Sequence, residues 1–243
     1  MCATTAGAGE RTAHCSIASD GDTGMKAFDY ELARHNMVEQ QIRPWEVLDQ
    51  RVLDLLFRVR REDFVPPAYR ALAFADLELP LSEHARMWTP KMEARVMQEL
   101  ALAKSDRVLE IGTGSGYFCA LLASSAAEVT SVEIDPALAA DARAKLARLG
   151  HANARVEVGD GARGYGNDSY DVIVLTGSTP VLPERFLGQL VRGGRIFAVV
   201  GEEPVMKARL VRWSAPDSQV AVDLFETVIA PLRNALTPAR FEF

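Results

Sequence analysis

The stretch RVLEIGTGSGYFCALLA, Arg107 to Ala123, decides how the chain is read. An apolar run, Val108, Leu109 and Ile111, leads directly into three glycines at alternate positions, Gly112, Gly114 and Gly116, and a second apolar run follows. A short buried strand, a turn and a helix have this form. Glycine carries no Cβ and accepts positive φ, so the turn lets a ligand lie against the backbone. In an open α/β sheet such a loop sits at the carboxyl end of a strand where the strand order reverses, and a nucleotide-like ligand is expected there.

The same alternation continues outward from this stretch. RVLEI, EVTSVEI, ARVEV, YDVIVL, RIFAVV, ARLVRW and VAVDLFETVI read as strands, several of them continuous apolar or β-branched runs. The helix DPALAADARAKLARLG has Asp135 as its cap, Pro136 at its first position and Gly150 past its end. Repeated strand–helix–strand units predict an α/β fold: a doubly wound, mostly parallel seven-stranded sheet. No helix separates the last two strands, which predicts an antiparallel pair at that edge. Upstream, Phe28 to Arg61 reads as helical, with Val47, Leu48, Val52, Leu55, Leu56 and Val59 at steps of three and four. A further helix starts at Pro90 and carries Met92, Val96, Met97 and Leu100 on one face. These N-terminal helices are expected to pack over the ligand crevice.

The chain thus divides into a leader (1–24), an N-terminal helical and substrate-loop segment (25–104) and a ligand-binding α/β core (105–243), the last two forming one compact domain. The leader is small, polar and aperiodic, and lacks the basic start and apolar core of a signal peptide. Met25 looks like a natural beginning, and no role is expected for Cys2 or Cys15 in the leader. With 243 residues and 48% hydrophobic content there is material for a real core. A net charge of −6 gives no general attraction to nucleic acid or anionic lipid, so neither is expected as a partner. The three cysteines have neither a metal spacing nor a disulfide framework, so no metal is expected and a reducing, cytoplasmic compartment is the simpler reading. No apolar run approaches the roughly 18 residues of a membrane span.

Three acidic residues narrow the ligand. A dinucleotide fingerprint counted from Gly112 needs a third glycine where Tyr117 stands, and no phosphate-binding lysine follows the loop. Glu133 ends the second strand about 20 positions after Gly112, where a carboxylate accepts both hydroxyls of a ribose. Asp160, in the turn Gly159 to Gly161 after the third strand, suits an adenine amino group. Glu110 suits a cationic ligand better than an anionic one. An adenosyl ligand without phosphate, S-adenosylmethionine, fits all three. Its expected contacts are Glu110, Gly112, Thr113, Gly114, Ser115, Gly116, Glu133, Asp160 and Gly161.

These residues resemble those of the S-adenosylmethionine-dependent methyltransferases. In order along the chain, MVEQQIRPWEVLDQRVLDLLFRV, VRREDFVP, VLEIGTGSGY, GDGARGY, YDVIVLTGSTPVLPERFLGQLVRGGRIFAVVG and the terminal APL are similar to the protein-L-isoaspartate O-methyltransferase family, from about Met25 to Leu232. The resemblance implies a Rossmann-like methyltransferase fold. It also implies a repair reaction, in which the free carboxylate of isoaspartyl residues in damaged proteins is methylated, so a protein or peptide bearing that carboxylate is the implied partner. One segment departs from the family. Where the family reads roughly G-Q-T-I-S-Q-P, this chain reads HARMWTP: Arg86 replaces the threonine, Trp88 replaces the serine, and Thr89 is the hydroxyl left nearby.

The acceptor site is accordingly expected around Arg86, Trp88 and Thr89, with His84 beside them and Ser178 at the end of the fourth strand. A carboxylate acceptor, with an ordinary pKa near 3.9, is already ionised at neutral pH, so no general base is needed. Placement of the nucleophile and exclusion of water are the work to be done. Two other readings stay open here: a family member acting on a different small-molecule acceptor, and a non-catalytic S-adenosylmethionine-binding protein in which Trp88 fills the acceptor space.

Overall fold

A computed structural model describes residues 28–215 and 218–237; the leader, with Cys2 and Cys15, lies outside the described residues. A small hairpin, β1 (Leu79–Pro80) and β2 (Arg86–Met87), precedes the main sheet. The sheet contains β3 (Arg107–Ile111), β4 (Glu128–Glu133), β5 (Ala154–Val158), β6 (Tyr170–Thr179), β7 (Leu190–Glu202), β8 (Val205–Ala215) and β9 (Ser218–Glu226). Its strand order is β5-β4-β3-β6-β7-β8-β9. The first five strands in that order run parallel, and β8 and β9 are antiparallel to their neighbours. The chain winds outward from β3 to β5, then returns to the other side of β3. The order therefore reverses between β3 and β6, and a crevice opens there at the carboxyl ends of the strands.

The helices are α1 (Tyr30–Met37), α2 (Gln50–Arg58), α3 (Pro90–Leu100), α4 (Tyr117–Ala123), α5 (Pro136–Arg148) and α6 (Glu184–Gly188). Alternation along β3 sends Val108 into one core, with α2 to α5, and Leu109 into the other, with Phe186 of α6. Helix α5 begins as its cap requires: the Asp135 carboxylate accepts from the Ala137 and Leu138 amides.

Three details differ from the sequence reading. Phe28 to Arg61 is not one helix: α1 passes into a π-helical turn (Val38–Ile42) and a 3-10 turn (Arg43–Trp45), and Glu46 is left-handed at φ 62°. Pro44 has no amide to donate to the preceding turn, which ends the helix. The crossover from β5 to β6 carries no helix and runs as a loop through 159–169. The N-terminal helices do not cover the crevice. They extend the α4 layer under one face of the sheet: Trp45 lies 5.0 Å from Phe225 of β9, and Arg195 of β7 donates to the Leu100 and Ala101 carbonyls. Of the described N-terminal residues, those of the β1–β2 hairpin line the crevice, and Trp88, with Glu93 of α3, lines a recess beside it. Among the described residues no helix is long and apolar enough to cross a membrane.

Candidate active site

A cleft opens at the carboxyl ends of β3, β4, β5 and β6. Gly112, Gly114, Glu133, Asp160 and Gly161 all line it. The three loop glycines have φ of 98°, 52° and 83°, yet they do different work. A Cβ on Gly112 would lie 2.2 Å from the Thr176 hydroxyl oxygen, so this glycine lets the loop lie against β6. A Cβ on Gly116 would lie 3.1 Å from that of Ala142, so this one lets α5 come close. Gly114 lines the cleft beside Gly112, and a Cβ on it would lie 3.2 Å from Leu81 of the hairpin.

Glu133 is held by the loop it serves. Its Oε2 accepts from the Gly114 amide at 2.8 Å and its Oε1 from the Asp135 amide at 3.0 Å. Each carboxylate oxygen keeps a further lone pair for a ligand hydroxyl. Asp160 accepts from the Ala162 amide at 3.0 Å and from the Asn234 side chain at 2.9 Å. The second contact draws the end of the described chain over this side of the cleft, where Pro231, Leu232 and Arg233 complete the lining.

Glu110 is placed otherwise than expected. It is fully buried and does not line the cleft. Its Oε2 accepts from the Ser131 hydroxyl, which in turn lies 2.5 Å from the Thr113 hydroxyl. Glu110 thus supports the glycine loop from below. Burial pushes its carboxyl up to about 8, against the opposing pull of the Ser131 and Cys119 hydrogen bonds. Gly116, too, lies outside the cleft lining.

A smaller recess adjoins the cleft and shares Arg86, Gly112 and Thr176 with it. Thr113, Ser115, Trp88, Phe118 and Glu93 contribute to its walls. Arg86 and Trp88 therefore meet at the recess, Arg86 also lines the cleft, and exposed His84 lies on the cleft's rim. Trp88 is only 6% exposed, its ring packed 5.2 Å from Phe118 and 6.1 Å from Phe197, so it belongs to the core as well as to the recess. Thr89 lines neither space: its hydroxyl caps α3, accepting from the Met92 amide.

Ser178 lines neither space either. It is buried, and its hydroxyl donates to the Ile229 carbonyl while its backbone pairs with Ala230 and Leu232. The residue of β6 that faces both spaces is Thr176, which sequence reading missed. Its hydroxyl lies 2.6 Å from the Gly112 carbonyl and 2.9 Å from that of Ile111. The register of β6 on β7 shifts between Val174 and Ser178, which changes the residue presented to the crevice. Asn234 and the buried Arg61–Glu93 pair also escaped notice; the pattern LTGS offered a signal for Thr176, but a tertiary contact such as Asn234 to Asp160 leaves none.

Comparison with known proteins adds to this geometry. The protein-L-isoaspartate(D-aspartate) O-methyltransferase family matches residues 32–235. A protein-L-isoaspartate O-methyltransferase of Methanoculleus marisnigri is 43% identical over 178 residues, 73% of this chain and 81% of that one. One from Rhodopseudomonas palustris is 41% identical over 194 residues, 79% of each chain. Among solved structures, a protein-L-isoaspartate O-methyltransferase shares 27% identity at a TM-score of 0.70, across 82% of this chain and 65% of that one. A Plasmodium falciparum structure described as that enzyme in complex with S-adenosyl-L-homocysteine has a TM-score of 0.71 at 16% identity, a likeness of fold, across 85% of this chain and 99% of that one.

Proposed function

The chain belongs to the protein-L-isoaspartate O-methyltransferase family, and from that premise we propose that it methylates the free carboxylate of isoaspartyl residues in proteins or peptides, using S-adenosylmethionine. The observation that carries this reading is the pair of joined spaces. The larger has an adenosyl-type floor, and the smaller is walled by the substrate segment and meets it at Gly112 and Thr176.

The floor suits the cofactor. Glu133 and Asp160 are acceptors there, while the cations Arg86 and Arg233 are exposed at the rim, a distribution that favours ribose and adenine groups over phosphate. Glu133 would hold the ribose hydroxyls, Asp160 the adenine amino group, and Gly114 the close approach along the loop. When bound, the cofactor supplies a sulfonium methyl: an acceptor oxygen bonds the methyl carbon as the carbon–sulfur pair returns to sulfur, giving a methyl ester and S-adenosylhomocysteine. No proton moves, so no base is required. Arg86 offers a planar fork to the acceptor carboxylate. The indole of Trp88 and the ring of Phe118 give the recess apolar walls that exclude water, and the dehydration this imposes on the carboxylate is offset by its pairing with Arg86.

The test is methyl transfer from labelled S-adenosylmethionine to an isoaspartyl peptide, with the aspartyl peptide as control and cofactor binding measured calorimetrically on the same sample. Transfer to the isoaspartyl peptide alone is expected. Tight cofactor binding without transfer to that peptide would overturn the acceptor assignment and leave the cofactor assignment standing.

A further inference from the structure

We propose that Arg61 is a positioning residue for the methyl acceptor: one buried guanidinium holds both ends of residues 74–87 and so sets the recess in which the acceptor oxygen is placed. This inference rests on the function proposed above for its kinetic meaning, and on geometry alone for its structural part.

Arg61 is 1% exposed. Its Nε donates to the Ala73 carbonyl at 2.8 Å and its Nη2 to the Trp88 carbonyl at 2.6 Å. Those two carbonyls flank the segment that contains the β1–β2 hairpin. The segment's Leu81, Arg86 and Met87 wall the recess, and its His84, Ala85 and Arg86 wall the cleft. The remaining arm, Nη1, pairs with Glu93 of α3, itself a residue of the recess wall. The face of the guanidinium lies 5.1 Å from the ring of Tyr117, the first residue of the helix after the glycine loop. One cation therefore touches the acceptor segment at both ends, the recess wall, and the start of the cofactor helix.

Only a planar fork with several donors reaches two carbonyls and a carboxylate together; a lysine ammonium cannot match that geometry. A buried ion pair is weak evidence of stability, since apolar replacements of similar volume often serve as well. The Arg61 pair does something such replacements do not: it spends two of its bonds on backbone carbonyls at the two ends of one functional segment. Its own backbone is anchored next door, where Glu62 pairs with buried Arg34 of α1.

Two variants test the proposal. Arg61→Met/Glu93→Met removes both charges together, so no lone buried charge remains. Arg61→Lys keeps the charge opposite Glu93 and gives up the fork; it carries the test where the double variant does not fold. Hydrogen–deuterium exchange, S-adenosylhomocysteine affinity, and KM and kcat for the isoaspartyl peptide are read on each. Exchange in residues 74–87 is expected to rise at least tenfold while β3 and α4 keep wild-type protection. The acceptor KM is expected to rise tenfold or more, with kcat and cofactor Kd within about threefold, and Arg61→Lys is expected to fall between. Wild-type exchange in 74–87 in a folded variant overturns the proposal, as does an unchanged acceptor KM. Parallel loss of cofactor and acceptor affinity overturns it too, since that marks a general packing role. A wild-type enzyme inert on isoaspartyl peptide refutes the proposed function instead, and the exchange measurement still decides Arg61.

Discussion

At the scale of single residues, Trp88 shows how two roles coincide. As a sequence feature it is a bulky ring where the resemblance implies a small hydroxyl. In the fold it is a core residue against Phe118 and Phe197 that also walls the recess. Removing a buried indole loses its transfer energy and leaves a cavity, typically about 3–5 kcal/mol. Trp88→Ser is therefore expected to lose roughly 3 kcal/mol in urea unfolding, and restoring the implied hydroxyl comes at that cost. A loss under about 1 kcal/mol would show that the ring contributes little to the core. Glu133 belongs to the same scale. Its carboxylate holds the Gly114 and Asp135 amides and is the expected ribose partner. Hydrogen bonds to a charged group contribute about 1.5–3 kcal/mol each. Glu133→Ala is expected to weaken S-adenosylhomocysteine binding tenfold or more by calorimetry, and binding within twofold of wild type would exclude the role.

Among elements, the glycine loop shows what the sequence can express and what it cannot. Gly112, Gly114 and Gly116 were legible as a turn needing positive φ, because alternate glycines after an apolar run have few other uses. Their separate tasks were not legible, since these depend on Thr176 and Ala142, far away along the chain. The same limit applies to Glu110. A carboxylate beside the loop reads as a ligand contact, whereas the pleat turns it inward to Ser131 and Cys119. Ser178 turns to Ile229 and away from both spaces, and the register shift within β6 that accompanies this cannot be read from a run of β-formers. Gly112→Ala tests the loop as an element. A methyl there meets the Thr176 hydroxyl at 2.2 Å and also sits on a backbone with φ of 98°. Cofactor binding is expected to be lost, and Gly112→Ala/Thr176→Ala to recover it only in part, because the second change relieves the clash but not the strained φ. Full recovery in the double variant would mean that contact with Thr176 is the whole reason for the glycine.

For the molecule as a whole, the seven strands and their antiparallel edge were legible, since each parallel strand is a distinct apolar run covered on both faces. The position of the N-terminal helices was not, because amphipathic spacing states which face is buried and not against what. The buried core that results has a consequence for global stability. Glu110 sits fully buried with one carboxylate oxygen lacking a hydrogen-bond partner and, among the described residues, no cation paired to it, and its carboxyl is pushed up from 4.5 to about 8 by burial. Below pH 4.5 the group is neutral in both the folded and unfolded chains and costs nothing. Between 4.5 and about 8 the unfolded chain gives up the proton and the folded chain keeps it, so stability falls as pH rises. Above about 8 both forms are ionised and the loss levels off. Buried Glu93 is pushed the same way and stands in both proteins when wild type is compared with Glu110→Gln, so its contribution cancels in the difference. The stability of Glu110→Gln relative to wild type is expected to grow by about 1.4 kcal/mol per pH unit across that window and then flatten. Urea unfolding of both proteins from pH 5 to 9 measures it. A difference that stays constant from pH 5 to 8 would mean that Glu110 is already ionised in the folded protein, and that the Ser131 and Cys119 hydrogen bonds outweigh burial beneath the loop.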